Sequence, residues 1–215
     1  MDCSRLRFAG SAVVAAALAA ACGGAAAGSI APIVQPGAPG QQPRRISAGE
    51  AANLSGVSHT AADVRFMQRM MRHHAQALEM TALVALRTAR EDLRLLAERI
   101  EVSQADEIKT MREWLEARSA QVPDAHAHPG ATEASMPGML TAREMSRLAD
   151  ARAAAFDSMF LELMIKHHEG ALLMVTELFA SPGAGQESDI FAFATDVMAD
   201  QQMEIARMRR MIGAL

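Results

Sequence analysis

The sequence predicts an all-α protein, a four-helix bundle built from two related helical hairpins with a pseudo-two-fold axis. Three observations carry this. Half of the 215 residues are hydrophobic while aromatics make up only 4%, with one Trp and no Tyr. Alanine, leucine and methionine favour helix, whereas sheet proteins draw on β-branched and aromatic residues. The second observation is an internal repeat, which organises any fold that contains one. The third is that the repeated residues recur at helical spacing, so each repeat carries its shared residues on one face.

The repeat is read directly. Residues 63–80 lie over residues 157–174 without a gap. The shared residues are Asp63/Asp157, Phe66/Phe160, Met70/Met164, His73/His167, His74/His168, Ala77/Ala171, Leu78/Leu172 and Met80/Met174. A second match follows each first one, where Gln104, Glu107, Ile108 and Met111 pair with Gln201, Glu204, Ile205 and Met208. Each repeat therefore holds two helical segments.

The first segment is expected from about residue 60 to 87 and the second from about 91 to 119. Pro123, Pro129, Gly130, Pro137 and Gly138 break the chain after them. Thr141-Ala-Arg-Glu144 reads as a capping box that opens a short helix. A long helix is expected from about 153 to 180, stopped by Ser181-Pro182-Gly183, and a last helix from about 187 to 212. Two hairpins that each own one apolar face bury those faces against each other, which gives the bundle. The sequence leaves open whether the hairpins pack within one chain or exchange between two chains as a homodimer.

Ahead of the bundle, Arg5 and Arg7 precede an uncharged run from Phe8 to Ala21, which reads as a secretory signal. The run ends at Cys22 in a setting like a bacterial lipobox. Cys22 would then carry a lipid and tie the chain to a membrane. Cleavage at an Ala-x-Ala site is the alternative. Cys3 would be lost with the signal, and the mature chain would then have no intramolecular disulfide. Residues 23–57 are rich in Gly, Ala, Pro, Gln and Ser and read as a flexible tether, with the helical domain at 58–215 and its repeats at about 60–119 and 141–212. The net charge of −4 is well mixed, and no basic stripe points to nucleic acid.

With Met70 set at zero on the helical wheel, Asp63, Phe66, Met67, His73, His74, Ala77 and Met80 fall within roughly 80° of it. The second repeat behaves alike. On the partner helices Gln104, Glu107 and Met111 share a face, as do Gln201, Glu204 and Met208. Asp63 and Asp157 lie about 15 Å along the axis from the histidine pairs, so they are expected at helix N-termini and outside any shared ligand shell. Sixteen methionines are an excess, which composition alone reads as core filler and which soft-metal ligation would also explain.

Two identical His-His pairs beside methionine point to metal ligation by His73, His74, His167 and His168, with Met70, Met80, Met164 and Met174. Glu107 and Glu204 are expected to orient the imidazoles, with Gln104, Gln201, Met111 and Met208 beside them. Imidazole with thioether and no thiolate suits copper, as Cu(I) or Cu(II). Zinc would use His and carboxylate and ignore the methionines. His126, His128, Met136 and Met139 form a candidate auxiliary site in the central loop. The same residues permit two other readings. Glu107 and Glu204 could serve a di-metal iron-type redox enzyme, although no Glu stands three before a motif His, as such centres use. Alternatively His73 with Glu107, and His167 with Glu204, are buried hydrogen-bonded pairs that lock a metal-free interaction module.

Residues 63–111 and 157–208, with their doubled Met-x-x-His-His-x-x-Ala-x-x-Met and Gln-x-x-Glu-Ile-x-x-Met patterns, resemble the bacterial family DUF305. Met136-Pro-Gly-Met139-Leu-Thr-Ala-Arg-Glu144 and Phe156-Asp157 resemble the family's join between repeats. The resemblance covers about 60 to 212. It implies a ferritin-like helical fold, export to the periplasm or cell surface and, for some members, copper binding and copper tolerance. A copper-sequestering or chaperone role follows as the expectation. The repeats depart from each other at Ala75-Gln76, where the second has Glu169-Gly170. Equal metal affinity of the two halves is therefore not implied.

Overall fold

The computed structural model describes residues 32–35, 42–52, 58–124 and 136–214. The expected signal with Cys22, most of the tether, and His126 and His128 lie outside the described residues.

Within the expected tether the described residues are ordered as a short antiparallel pair, β1 (Ile33–Gln35) and β2 (Arg44–Ile46), with Ile33 opposite Ile46, followed by the one-turn helix α1 (Ala48–Ala52). Composition reads such a stretch as coil because alternation over three residues is too short to register. The bundle begins at α2 (Ala61–Ala82). Thr60 caps it by accepting from the Ala62 and Asp63 amides, and Asp63 Oδ2 accepts from the Thr60 amide at 2.7 Å. A 3₁₀ turn at Val84–Leu86 ends this helix slightly earlier than the sequence suggests. Helix α3 (Glu91–Ala117) opens with Glu91 and Asp92, where acidic side chains complement the helix dipole.

Thr141 and Glu144 form the expected capping box of α4 (Ala142–Asp150). Helices α5 (Ala153–Ala180) and α6 (Ser188–Ile212) complete the bundle within a residue of expectation. Asp63 sits at its helix N-terminus, and its Oδ1 also accepts from the Gly185 amide at 2.7 Å, tying α2 to the α5–α6 loop. Asp157 does not match it. Helix α5 starts at Ala153, so Asp157 lies inside the helix, buried, with Oδ1 unpartnered.

Helices α2 and α3 form one hairpin, α5 and α6 the other, and the two hairpins meet chiefly through α2 and α5 within one chain. The core is divided into two apolar clusters, each drawing on all four long helices. One holds Phe66 to Met71 of α2, Met111 to Leu115 of α3, Ala171 to Phe179 of α5 and Ile190 to Val197 of α6. The other holds Ala77 and Met80 of α2, Leu93 to Ile100 of α3, Phe156 to Met164 of α5 and Ile205 to Met211 of α6. The pseudo-two-fold axis exchanges the clusters. On every helix the residues left between them are the polar ones of the repeat. Among the described residues no helix is long and apolar enough to cross a membrane.

Candidate functional site

The layer between the clusters contains His73 and His74 from α2, Gln104 and Glu107 from α3, His167 and His168 from α5, and Gln201 and Glu204 from α6. All four imidazoles are fully buried. Burying polar groups in mid-core costs about 1–3 kcal/mol for each one left unpaired. The sequence does so twice, by symmetry, which singles this layer out as the candidate site.

Successive residues on a helix point about 100° apart, and this separates the two histidines of each pair. The second histidine of each pair faces its own hairpin partner. His74 Nε2 donates to Glu107 Oε2 at 2.5 Å, and His168 Nε2 donates to Glu204 Oε2 at 2.7 Å. The alternative pairings of His73 with Glu107 and His167 with Glu204 are thereby corrected: the carboxylates hold the second histidines. The first histidines face each other across the α2–α5 interface, with ring centroids 3.8 Å apart and planes inclined by 34°. Within each repeat the two rings are farther apart, 6.3 Å for His73 and His74 and 6.2 Å for His167 and His168. The close pair is thus His73 with His167, one from each hairpin.

Hydrogen bonding fixes which ring atoms are free. A carbonyl or carboxylate oxygen accepts only, so His73, bonded to the Pro137 carbonyl at 3.0 Å, donates from Nε2. In His73, His74 and His168 the buried Nδ1 atom has no partner. Neither nitrogen of His167 makes a full hydrogen bond. Gln104 leaves both amide atoms unpartnered and Gln201 leaves Oε1 so, although both side chains are buried.

Burial, reinforced by the neighbouring His74, lowers the pKa of His73 to about 3. His167 is lowered well below the usual imidazole range by burial first and by His73 and His168 next, with the nearby His73 carbonyl offsetting a small part. Both rings are therefore neutral at physiological pH and carry lone pairs suited to a metal. At the outer edge of the layer, burial and the charges of Glu107 and Glu204 raise the pKa of Asp200.

The methionines divide between the clusters. Met70 precedes His73 by one turn, and it shares its cluster with Met111 and Met174. Met164 precedes His167 by one turn, and it shares its cluster with Met80 and Met208. Met70 and Met80 lie about 15 Å apart along α2, so one ion cannot take both. Met136 is buried and Met139 half-buried beside the layer. Among the described residues, no three His, Cys, Asp or Glu side chains gather closely enough to hold an ion. Imidazole and thioether are the donor types that the layer and its neighbouring clusters bring together, and soft ions accept both. Zinc and carboxylate-bridged iron pairs use larger sets of His and carboxylate ligands.

Sequence reasoning did not find the parts played by Pro137, Gln76, Gly170 and Asp200. The departure between the repeats at Gln76 and Gly170 was the available signal for two of them. Gln76 Nε2 donates to the Leu140 carbonyl at 3.0 Å and its Oε1 accepts from the Leu140 amide at 2.7 Å. Gly170 leaves room for Pro137 and Gly138.

Comparison with known proteins agrees with this architecture. The family model described as a domain of unknown function, DUF305, matches residues 63–212. A crystallised DUF305 fragment from Deinococcus radiodurans is 28% identical, with a TM-score of 0.65, covering 73% of this chain and 99% of that one. A candidate secreted DUF305 protein from Streptomyces coelicolor is 29% identical, with a TM-score of 0.63, covering 71% and 93%. CopM in its Cu(II)-bound form is 25% identical, with a TM-score of 0.58, covering 71% and 96%; its Ag-bound form is 25% identical, with a TM-score of 0.55. No curated protein matches the chain. By the extent of the family match, the chain belongs to DUF305.

Proposed function

We propose that this protein is an exported, non-enzymatic binder of copper that sequesters or delivers the ion in the cell envelope. The observation that carries the reading is the buried His73–His167 pair. It offers three unpartnered ring nitrogens in neutral rings, with Met70 and Met164 one turn away. Imidazole and thioether together favour copper over other first-row ions, and Cu(I) needs few ligands. Glu107 and Glu204 hold Nε2 of the flanking histidines and leave Nδ1 free, the arrangement by which carboxylates orient metal-binding imidazoles. The structural likeness to CopM, crystallised with Cu(II) and with silver, supports the same choice. Export and a lipid anchor at Cys22 rest on the N-terminal residues, and the secreted description of the Streptomyces protein accords with export.

Titration of the full chain with Cu(I) under a competing chelator, and separately with Cu(II) and Zn(II), tests the reading. Tight Cu(I) binding that is lost in a His73→Ala/His167→Ala variant is the expected result. The two Glu–His pairs favour a second reading, in which the layer locks a metal-free interaction module. Weak binding of every metal with unchanged thermal unfolding would establish that reading instead.

A further inference from the structure

The two halves of the histidine layer differ, and the difference traces to one strap, Met136–Leu140, that crosses the α2–α5 interface. Three anchors hold it. At its downstream end Leu140 is gripped through both backbone groups by Gln76 of α2. In the middle, Gly138 has φ +75°, and a Cβ there would stand 2.7 Å from the Gly170 Cα and the Lys166 carbonyl. A Cβ on Gly170 would stand 2.2 Å from the Pro137 carbonyl oxygen, so glycine at both positions lets the strap lie on the backbone of α5. Beyond the strap, Glu144 of the α4 capping box pairs with Lys166 of α5 at 2.6 Å. Gln76 and Gly170 are equivalent positions of the repeat, so the latch is one-sided by construction.

What the strap touches is a ring nitrogen. Its Pro137 carbonyl accepts from His73 Nε2. A neutral imidazole carries one N–H, so this bond places the proton on Nε2 and the lone pair on Nδ1. His167 makes no full hydrogen bond at either nitrogen, with only the His73 carbonyl acting weakly on its ring. We propose that the Met136–Leu140 strap is a tautomer latch. It reserves Nδ1 of His73 as the atom offered to a soft cation, and it leaves His167 able to ligate through either nitrogen. Gln76, Pro137 and Gly170 are then positioning residues for a site that binds asymmetrically. This rests on the reading that the His73–His167 pair takes such an ion.

The test is ring ¹⁵N–¹H correlation spectroscopy on the full chain, metal-free and then titrated with Ag(I), a redox-inert soft cation. Two variants release the strap from opposite sides without altering a histidine. Gln76→Ala removes the grip on Leu140, and Gly170→Ala displaces the Pro137 carbonyl while keeping a good helix former in α5. In the wild type His73 is expected in the Nε2–H form, with its Nδ1 resonance moving on Ag(I) addition. In both variants His73 should lose its single tautomer and Ag(I) should bind about tenfold more weakly, as when a group orienting a ligand is lost. His74 and His168 should keep the Nε2–H form, because their carboxylate partners are untouched. Ligation of Ag(I) through His73 Nε2, or an unchanged tautomer and affinity in both variants, would overturn the latch alone. No Ag(I) binding by a wild type whose His73 is in the Nε2–H form would overturn the metal reading, and the latch's part in ligation with it.

Discussion

Acidification is the perturbation that reaches the histidine layer most directly. His73 has its pKa lowered to about 3 and His167 is lowered well below 6.5, in both cases by burial first. In the unfolded chain both rings take up a proton near pH 6.5. Above that pH neither state is protonated, and the stability of the metal-free protein is fully present. As pH falls below 6.5 the unfolded state binds protons that the folded state refuses, so stability falls until the folded pKa values are reached. Each refused proton costs about 1.4 kcal/mol per pH unit, so the pair costs up to about 4 kcal/mol between pH 6.5 and 5. That is a large part of the 5–15 kcal/mol that typically separates folded from unfolded domains.

Urea unfolding of the chelator-treated protein at several pH values from 7.5 to 5 measures this cost by linear extrapolation. The window is clean on its acid side. Glu144, lowered to about 2 chiefly by its bond to Lys166, contributes stability that is present above its ordinary pKa of 4.5 and lost only below it. Asp200, whose pKa is raised, takes its proton sooner in the folded state and so acts against the loss of stability as pH falls. A His73→Asn/His167→Asn variant should lose most of the slope. A flat stability profile in the wild type, or an equal slope in the double variant, would refute the reasoning.

Glu204→Gln should destabilise the metal-free protein by about 1–3 kcal/mol in urea, because it weakens the charge-assisted bond to the buried His168. Glu107→Gln should cost less, since the Glu107 side chain is 15% exposed against 6% for Glu204. Met70→Leu keeps the core volume, so its stability should change by less than about 1.5 kcal/mol while Cu(I) affinity falls in a chelator competition. Equal affinity would remove Met70 from the ligand set. Asp63→Ala should cost about 2–3 kcal/mol in thermal unfolding, because it removes both the capping box and the bond from the Gly185 amide.

Most of the fold was legible because its signals are local. The Thr141–Glu144 capping box, the stop after Ala180 and the stripe through Met70 and His73 each follow from spacing within a turn or two. The sharing of the polar layer among four helices was also legible, since buried Gln and Glu on apolar stripes need partners. What escaped was the choice of partner. His73 and His74 are adjacent in sequence, and only the packing angle of α5 against α2 decides that His73 meets His167 while His74 meets Glu107. The Pro137 carbonyl carries no side-chain signature at all, and the repeat match of Asp157 to Asp63 hid that Asp157 stands four residues inside α5.

The division of labour in the layer also separates two effects of acid that an exposed histidine site would merge. In an exposed site, protons compete with metal for imidazole near pH 6.5. Here the folded protein keeps the His73 ring neutral down to about pH 3, so its lone pair stays available to an ion through the range in which the fold itself weakens. An ion held by the folded state alone adds about 2.7 kcal/mol at a hundredfold excess over its Kd, enough to offset much of the loss between pH 6.5 and 5.5. If the layer binds an ion as proposed, that fixed increment becomes a larger share of the stability that remains under mild acid. Mild acid should therefore widen the stability gap between loaded and metal-free protein only if the ion also binds the unfolded chain more weakly there, as protonation of its histidines requires.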